Sequence, residues 1–102
     1  MATFVKVSTL QDLGLGQGQL VTVNNKRIAL FNVAGRYYAL DDICPHRGGP
    51  LSEGDLEGGE VVCPWHGARF DLETGAIKAP PAAVGVARYP VRIQGGDVEI
   101  EV

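Results

Sequence analysis

Hydrophobic and polar residues alternate along much of the chain, which is the period-two pattern of half-buried β-strands. The alternation is clearest at the carboxyl end, where Val98, Ile100 and Val102 are separated by Glu99 and Glu101. Similar runs, bounded by turn residues, predict strands over residues 4–7, 19–24, 27–33, 37–40, 60–62, 68–72, 76–78, 91–93 and 98–102.

Short turns separate these runs. Asn24-Asn25-Lys26, Ala34-Gly35 and Gly95-Gly96 each stand between two strand-like segments, so each predicts a hairpin. Ser8 and Gln11 have the spacing of a capping box, and we expect a single helical turn running through Leu13.

The middle of the chain differs from its two ends. Between about residues 42 and 81 the segment is rich in Gly and Pro and its predicted strands are short. We therefore predict an all-β, antiparallel fold with one domain over residues 1–102. Its base would be a β-sandwich formed by residues 1–41 and 82–102, and residues 42–81 would form a small inserted subdomain.

Composition narrows the classes of function. Nine Lys and Arg residues against 12 Asp and Glu residues give a formal charge of −3, which argues against nucleic-acid binding. No apolar run approaches the roughly 18 residues of a membrane span, and the first residues lack the pattern of a secretory signal. We expect a cytoplasmic protein without a membrane partner, in which cysteines bind metal or act in catalysis.

Both cysteines and both histidines of the chain lie in the middle segment. Cys44-Pro45-His46 is followed, after 16 residues, by Cys63-Pro64-Trp65-His66, giving the spacing C-x-H-x16-C-x2-H. Two thiolates and two imidazoles can complete a tetrahedral zinc site. They can also bind a two-iron cluster, with both cysteines on one iron and both histidines on the other. Two similar loops supply such pairs directly, which favours the cluster while leaving zinc open.

The wider motifs resemble the Rieske family. The resemblance rests on two motifs and a following Thr74-Gly75 turn, and by motif it covers about forty residues. The two motifs are Cys44-Pro45-His46-Arg47-Gly48-Gly49-Pro50-Leu51 and Val61-Val62-Cys63-Pro64-Trp65-His66-Gly67-Ala68-Arg69-Phe70-Asp71.

The resemblance implies a Rieske fold whose inserted subdomain holds one [2Fe–2S] cluster. Cys44 and Cys63 would bind the inner iron, and His46 and His66 the outer iron. A chain of this kind would be a soluble ferredoxin of the oxygenase-associated type and would carry out no substrate chemistry itself. It would pass single electrons from a flavin-dependent ferredoxin reductase to a terminal oxygenase.

The chain departs from the high-potential branch of the family. That branch has a further cysteine in each ligand loop, and the two pair as a disulfide, whereas this chain has Gly49 and Trp65 at those places. Ala68 and Phe70 stand where hydroxyl groups would donate hydrogen bonds around the cluster. Fewer donors stabilise the reduced, more negative form less, so we expect a low reduction potential.

Other interpretations remain at this point. The chain could be the small Rieske subunit of a nitrite-reductase-like complex, or a zinc-binding or redox-sensing interaction module. Trp65 could pack over the ligand loops or dock a partner. The acidic residues Glu53, Asp55, Glu57 and Glu60 could face a basic partner or simply be solvated.

Overall fold

A computed structural model describes residues 3–45, 48–65, 67–80 and 84–102 of the chain. Within them the regular structure consists of antiparallel β-strands and one short 3-10 turn at Leu51–Glu53. The predicted all-β class is confirmed. The strands are β1 (Phe4–Thr9), β2 (Gln17–Val23), β3 (Lys26–Val33), β4 (Arg36–Asp41), β5 (Asp55–Glu57), β6 (Glu60–Val62), β7 (Arg69–Asp71), β8 (Ile77–Ala79), β9 (Arg88–Tyr89), β10 (Val91–Gln94) and β11 (Asp97–Glu101).

The strands form three sheets. Two of them, in the orders β1-β11-β10 and β2-β3-β4-β9, combine strands from both ends of the chain. The third, β5-β6-β7-β8, comes entirely from the middle segment and its strands have three residues each. This arrangement brings the two chain ends together and leaves the middle as one contiguous unit.

Strand β3 connects the sheets because both of its faces are buried. Ile28 and Leu30 pack in a cluster with Val98 and Ile100 of β11. The alternate residues, Ala29 and Phe31, point to the opposite face of a strand. They pack instead with residues of the middle segment: Cys44, Leu51, Val61, Cys63, Ala68, Phe70 and Leu72.

The β2-β3-β4-β9 sheet therefore has the β1-β11-β10 sheet on one face and the middle segment on the other. Residues 28–32 are all buried in consequence. A continuous apolar run is the usual pattern of a strand that is covered on both faces.

The predicted hairpin turns are present. Val23 pairs with Lys26 and Val33 with Arg36, which leaves two residues in each turn. Asn24 and Asn25 have φ of 52° and 65°, as a type I′ turn requires. The Gly95-Gly96 turn also joins its strands, with Gln94 opposite Asp97.

Three local features differ from the sequence-based predictions. The expected helical turn before Leu13 is a simple turn, in which the Asp12 N–H donates to the Thr9 side chain at 3.2 Å. Strands β5 and β9 were not predicted, because Asp55-Leu56-Glu57 contains no β-branched or aromatic residue and the two residues of β9 are too few to show a period. Among the described residues, no helix is long and apolar enough to cross a membrane.

Candidate metal centre

Cys44 lies in a loop that is closed by backbone hydrogen bonds. The Cys44 N–H donates to the Gly49 carbonyl at 2.9 Å, and the Gly48 N–H donates to the Cys44 carbonyl at 2.7 Å. Below this tip, Ile43 and Pro50 form an isolated β-bridge. The segment is thus a small hairpin with Cys44 at its last closed pair.

Cys63 lies in a second loop with the same bonds. The Cys63 N–H donates to the Ala68 carbonyl at 2.8 Å, and the Gly67 N–H donates to the Cys63 carbonyl at 3.0 Å. Gly67 has a φ of 79°, and Gly48 at the matching place has 78°. These left-handed values favour glycine because a side chain there is strained. The two cysteines therefore occupy equivalent positions in two similar loops.

The two loops touch each other. A Cβ atom built on Gly49 would lie 2.7 Å from Sγ of Cys63 and 3.1 Å from Cγ of Trp65. Cys44 and Cys63 are 2% and 3% exposed, and both belong to the core cluster that contains Phe31. The fold thus places two buried thiols in adjacent loops.

A buried carboxylate holds the base of the first loop, and sequence reasoning missed it. Asp42 is 1% exposed, and its Oδ1 accepts a hydrogen bond from the Ser52 N–H at 2.7 Å. Its backbone carbonyl accepts from the Leu51 N–H at 2.7 Å, and Arg27 lies 3.9 Å from Oδ2. Asp42 therefore fixes the start of the loop to the 3-10 turn that follows it. The sequence shows only an acidic residue before Ile43, which predicts neither burial nor this contact.

The predicted ligands are only partly visible. Cys44 and Cys63 are brought close together, whereas His46 and His66 lie outside the described residues. Within the described residues, no group of three or more Cys, His, Asp or Glu side chains has a metal-binding arrangement. Two buried thiols at matching points of two touching loops fit a metal group that takes two cysteine ligands.

On the core side, the two cysteines belong to a buried cluster of mainly apolar residues. Ala68 and Phe70 are both fully buried in the same cluster as the cysteines, and neither carries a hydroxyl group. The two positions at which the sequence departs from the high-potential branch therefore belong to the same buried cluster as the thiols, and the Ala68 carbonyl accepts the hydrogen bond from the Cys63 N–H.

The acidic residues of the middle segment are partly neutralised within the chain. Arg69 forms ion pairs with Glu57 at 2.9 Å and with Glu60 at 3.5 Å. The hydrogen bond and charge of Glu57 raise the pKa of Arg69 above its usual value. Two of the four acidic residues thus have a partner inside the same sheet, which weakens this surface as an acidic docking face.

A polar contact marks the place where the chain returns from the middle segment to β9. The Tyr89 hydroxyl donates a hydrogen bond of 2.6 Å to Oδ1 of Asp41, at the end of β4. Burial, followed by the hydrogen bond and charge of Asp41, raises the pKa of Tyr89 to about 12. The Asp41 N–H also donates to the Ala87 carbonyl at 2.9 Å. Two hydrogen bonds therefore join the end of β4 to the segment around β9.

Comparisons with known proteins agree with this arrangement. A family model described as a Rieske [2Fe–2S] domain matches residues 3–90. The ferredoxin component of the naphthalene 1,2-dioxygenase system of Pseudomonas aeruginosa is 43% identical over 81 residues, covering 79% of this chain and 78% of that protein.

Two solved structures are similar over nearly the whole chain. The ferredoxin of carbazole 1,9a-dioxygenase from Nocardioides aromaticivorans IC177 has a TM-score of 0.91 and 30% identity, covering 96% of both chains. A chain in the complex of reduced oxygenase and oxidized ferredoxin in carbazole 1,9a-dioxygenase has a TM-score of 0.88 and 32% identity. That match covers 95% of this chain and 91% of the other.

Proposed function

Because the chain belongs to the Rieske [2Fe–2S] domain family, we propose that Cys44 and Cys63 bind one iron of its cluster and His46 and His66 the other. The matching backbone hydrogen bonds of the two cysteine loops are the observation that carries this assignment. One iron would then have two thiolate ligands and the other two imidazole ligands, as in Rieske centres generally.

The chain is an electron carrier of the kind found as the ferredoxin component of dioxygenase systems, and it holds one [2Fe–2S] cluster. When bound, the cluster takes up and returns one electron. The chain's own residues hold the group and keep water from its buried side. Cys44 and Cys63 supply the thiolates, and Asp42 fixes the first loop through the Ser52 N–H. Phe31 and Phe70 are fully buried in the same core cluster as the two thiols.

We also propose that the reduction potential lies toward the low end of the roughly −150 to +300 mV range of Rieske centres. Ala68 and Phe70 support this, because neither side chain has a hydroxyl group that could donate a hydrogen bond to the more negative, reduced form. Substitution of Ala68 tests this proposal most directly, since Ala68 is fully buried in the same cluster as the thiols.

The Ala68→Ser variant should have a midpoint potential higher by about 60 mV, the one-electron equivalent of a tenfold change in an equilibrium constant. The added hydroxyl would donate a hydrogen bond that stabilises the reduced form. Protein-film voltammetry measures the shift, with Ala29→Ser as a control in the same core cluster on β3. A lower or unchanged midpoint in Ala68→Ser would contradict the argument.

The partners follow from the same proposal. A flavin-dependent ferredoxin reductase would supply the electrons and a terminal oxygenase would receive them, in the cytoplasm, where thiols are kept reduced. Stopped-flow mixing of the photoreduced protein with an oxidised Rieske oxygenase tests the second step. Rapid reoxidation of the ferredoxin, with matching reduction of the oxygenase, is the expected result.

Substitution of the ligands tests the assignment itself. His46→Cys and His66→Cys proteins that retain a cluster should have lower midpoint potentials, because a thiolate is more negative than an imidazole. Cys44→Ser and Cys63→Ser should lose the cluster or bind it weakly. Electron paramagnetic resonance of the reduced proteins follows both effects. An unchanged spectrum and midpoint potential in His66→Cys would refute the role of His66 as a cluster ligand. A colourless wild-type protein that binds zinc would refute the iron–sulfur cluster.

A further inference from the structure

Trp65 is the one tryptophan of the chain, and it lies in the second ligand loop two residues after Cys63. Its side chain is 56% exposed. Exposure of this size suggests a contact surface, but the other part of the ring lies against Gly49 of the first loop. Trp65 therefore connects the two loops at their tips.

Gly49 is a glycine for reasons of space. A Cβ atom there would lie 2.7 Å from Sγ of Cys63, and 3.1 Å and 3.2 Å from two atoms of the Trp65 ring. Neighbouring Gly48 differs, since its φ of 78° favours glycine while the nearest atom to an added Cβ is 3.9 Å away. Backbone conformation therefore requires glycine at position 48, whereas the close approach of the other loop requires it at position 49.

Three groups thus meet at one point: the Gly49 backbone, the Cys63 sulfur and the indole ring. The backbone hydrogen bonds at the two tips hold each loop to itself, between residues 44 and 49 and between residues 63 and 68. The contact of Trp65 with Gly49 joins one loop to the other. It also covers the side on which Sγ of Cys63 approaches Gly49.

We propose that Trp65 is a positioning residue whose ring, packed on Gly49, clamps the second ligand loop onto the first and keeps water from Sγ of Cys63. The proposal rests on the assignment of Cys63 as a ligand. It goes beyond that assignment because it gives the exposed tryptophan a role in retaining the cluster and setting its potential.

The test compares Trp65→Ala with Trp65→Phe and with Ile43→Ala. Ile43 is a matched control: it is 52% exposed on the first ligand loop and packs toward Gly48 of that same loop. Loss of the cluster is followed by its visible absorbance after addition of an iron chelator. Trp65→Ala should lose its cluster about tenfold faster than the wild type, Trp65→Phe should restore most of the difference, and Ile43→Ala should match the wild type.

Voltammetry gives a second readout that loop stability alone would not move. Water that reaches the Cys63 sulfur stabilises the more negative, reduced form. The midpoint potential of Trp65→Ala should therefore rise, and that of Trp65→Phe should return toward the wild-type value. Ile43→Ala should leave the midpoint unchanged.

Fluorescence tests the contact without reference to the rate of cluster loss. Gly49→Ala forces either the ring or the sulfur to move, because the new methyl group cannot fit between them. The tryptophan emission of this variant should shift to longer wavelength as the ring moves into water, whereas Ile43→Ala should leave the emission unchanged. Should Gly49→Ala fail to fold, the Trp65 series still decides the proposal.

The outcomes separate the possible roles of Trp65. Wild-type cluster retention and potential in Trp65→Ala, with slower electron transfer to an oxygenase, would overturn the clamp and make Trp65 a docking residue. Equal losses in Trp65→Phe and Trp65→Ala would overturn the role of the aromatic ring. A wild-type protein without visible absorbance would refute the ligand assignment instead, so the two proposals fail in different ways.

Discussion

The two faces of the β2-β3-β4-β9 sheet are covered by regions of different construction. On one face, strands β1 and β11, of six and five residues, form an aliphatic core with Leu30. On the other face, Phe31 packs against a middle segment whose strands have three residues each. The first region is stabilised by pairing between long strands. The second region contains tight turns and close backbone approaches, and its core includes two thiols. We therefore expect the second region to gain much of its stability from binding of the metal group.

Adjacent residues of β3 allow this comparison to be tested within one strand. Leu30→Ala and Phe31→Ala each remove a fully buried side chain, at a cost of about 2 to 5 kcal/mol. Phe31 shares its cluster with Cys44 and Cys63, so Phe31→Ala should also accelerate loss of the cluster. Leu30→Ala should lower the free energy of unfolding and leave the visible spectrum intact.

Urea denaturation and absorbance measure both effects. The comparison would fail if Leu30→Ala altered the cluster spectrum as much as Phe31→Ala does. The two faces would then act as one cooperative unit.

Removal of the cluster is the second test. In the cluster-free protein, amide protection in β6 and β7 should fall at least about a hundredfold relative to the loaded protein, since binding at 100 times the dissociation constant stabilises by about 2.7 kcal/mol. Strands β3 and β11 should keep most of their protection. Hydrogen exchange followed by mass spectrometry of the two forms makes this measurement. Equal loss of protection in β11 would show that the base has no stability of its own.

The difference between the regions also explains what could be predicted from sequence. Apart from β9, the base strands have four to eight residues and are bounded by clear turns, so their alternation located most of them. Burial on both faces of β3 could have been inferred, because residues 28–31 form an unbroken apolar run. The cysteine and histidine motifs predict four ligands, and the structure brings the two cysteines of that set into touching loops.

The remaining features arise from contacts between segments distant in sequence. In the sequence, Gly49 cannot be distinguished from other loop glycines. The structure shows that a Cβ atom added there would lie 2.7 Å from the Cys63 sulfur. Burial of Asp42 depends on the Ser52 N–H, ten residues later. Strand β9 has two residues, and its pairing with β4 depends on how the chain returns from the middle segment.

The junction of the two regions gives the third prediction. Tyr89→Phe removes the hydrogen bond to Asp41 and should lower the free energy of unfolding by about 1 to 2 kcal/mol. The effect should depend on pH. The pKa of Tyr89 is raised to about 12, above the ordinary value near 10 that holds in the unfolded chain. Its contribution is therefore fully present below about pH 10 and is lost as the pH rises toward 12.

Urea titrations of the wild type and Tyr89→Phe at pH 8 and about pH 11 compare the two conditions. The stability difference between the proteins should shrink at the higher pH. A difference that grows with pH would contradict the assigned cause of the shift.

The smallest effect is expected at the two turns of the β2-β3-β4 hairpins, which lie outside the two ligand loops. Ala34 has a φ of 54°, a left-handed conformation that costs a residue with a Cβ atom roughly 1 kcal/mol. Asn25 has a φ of 65°, but asparagine tolerates this region. Ala34→Gly should therefore raise the free energy of unfolding by up to about 1 kcal/mol, and Asn25→Gly should change it less. Both variants should leave the midpoint potential and the rate of cluster loss unchanged, because both turns belong to the base. A changed rate of cluster loss in Ala34→Gly would show that the stability of this turn affects the ligand loops through β3.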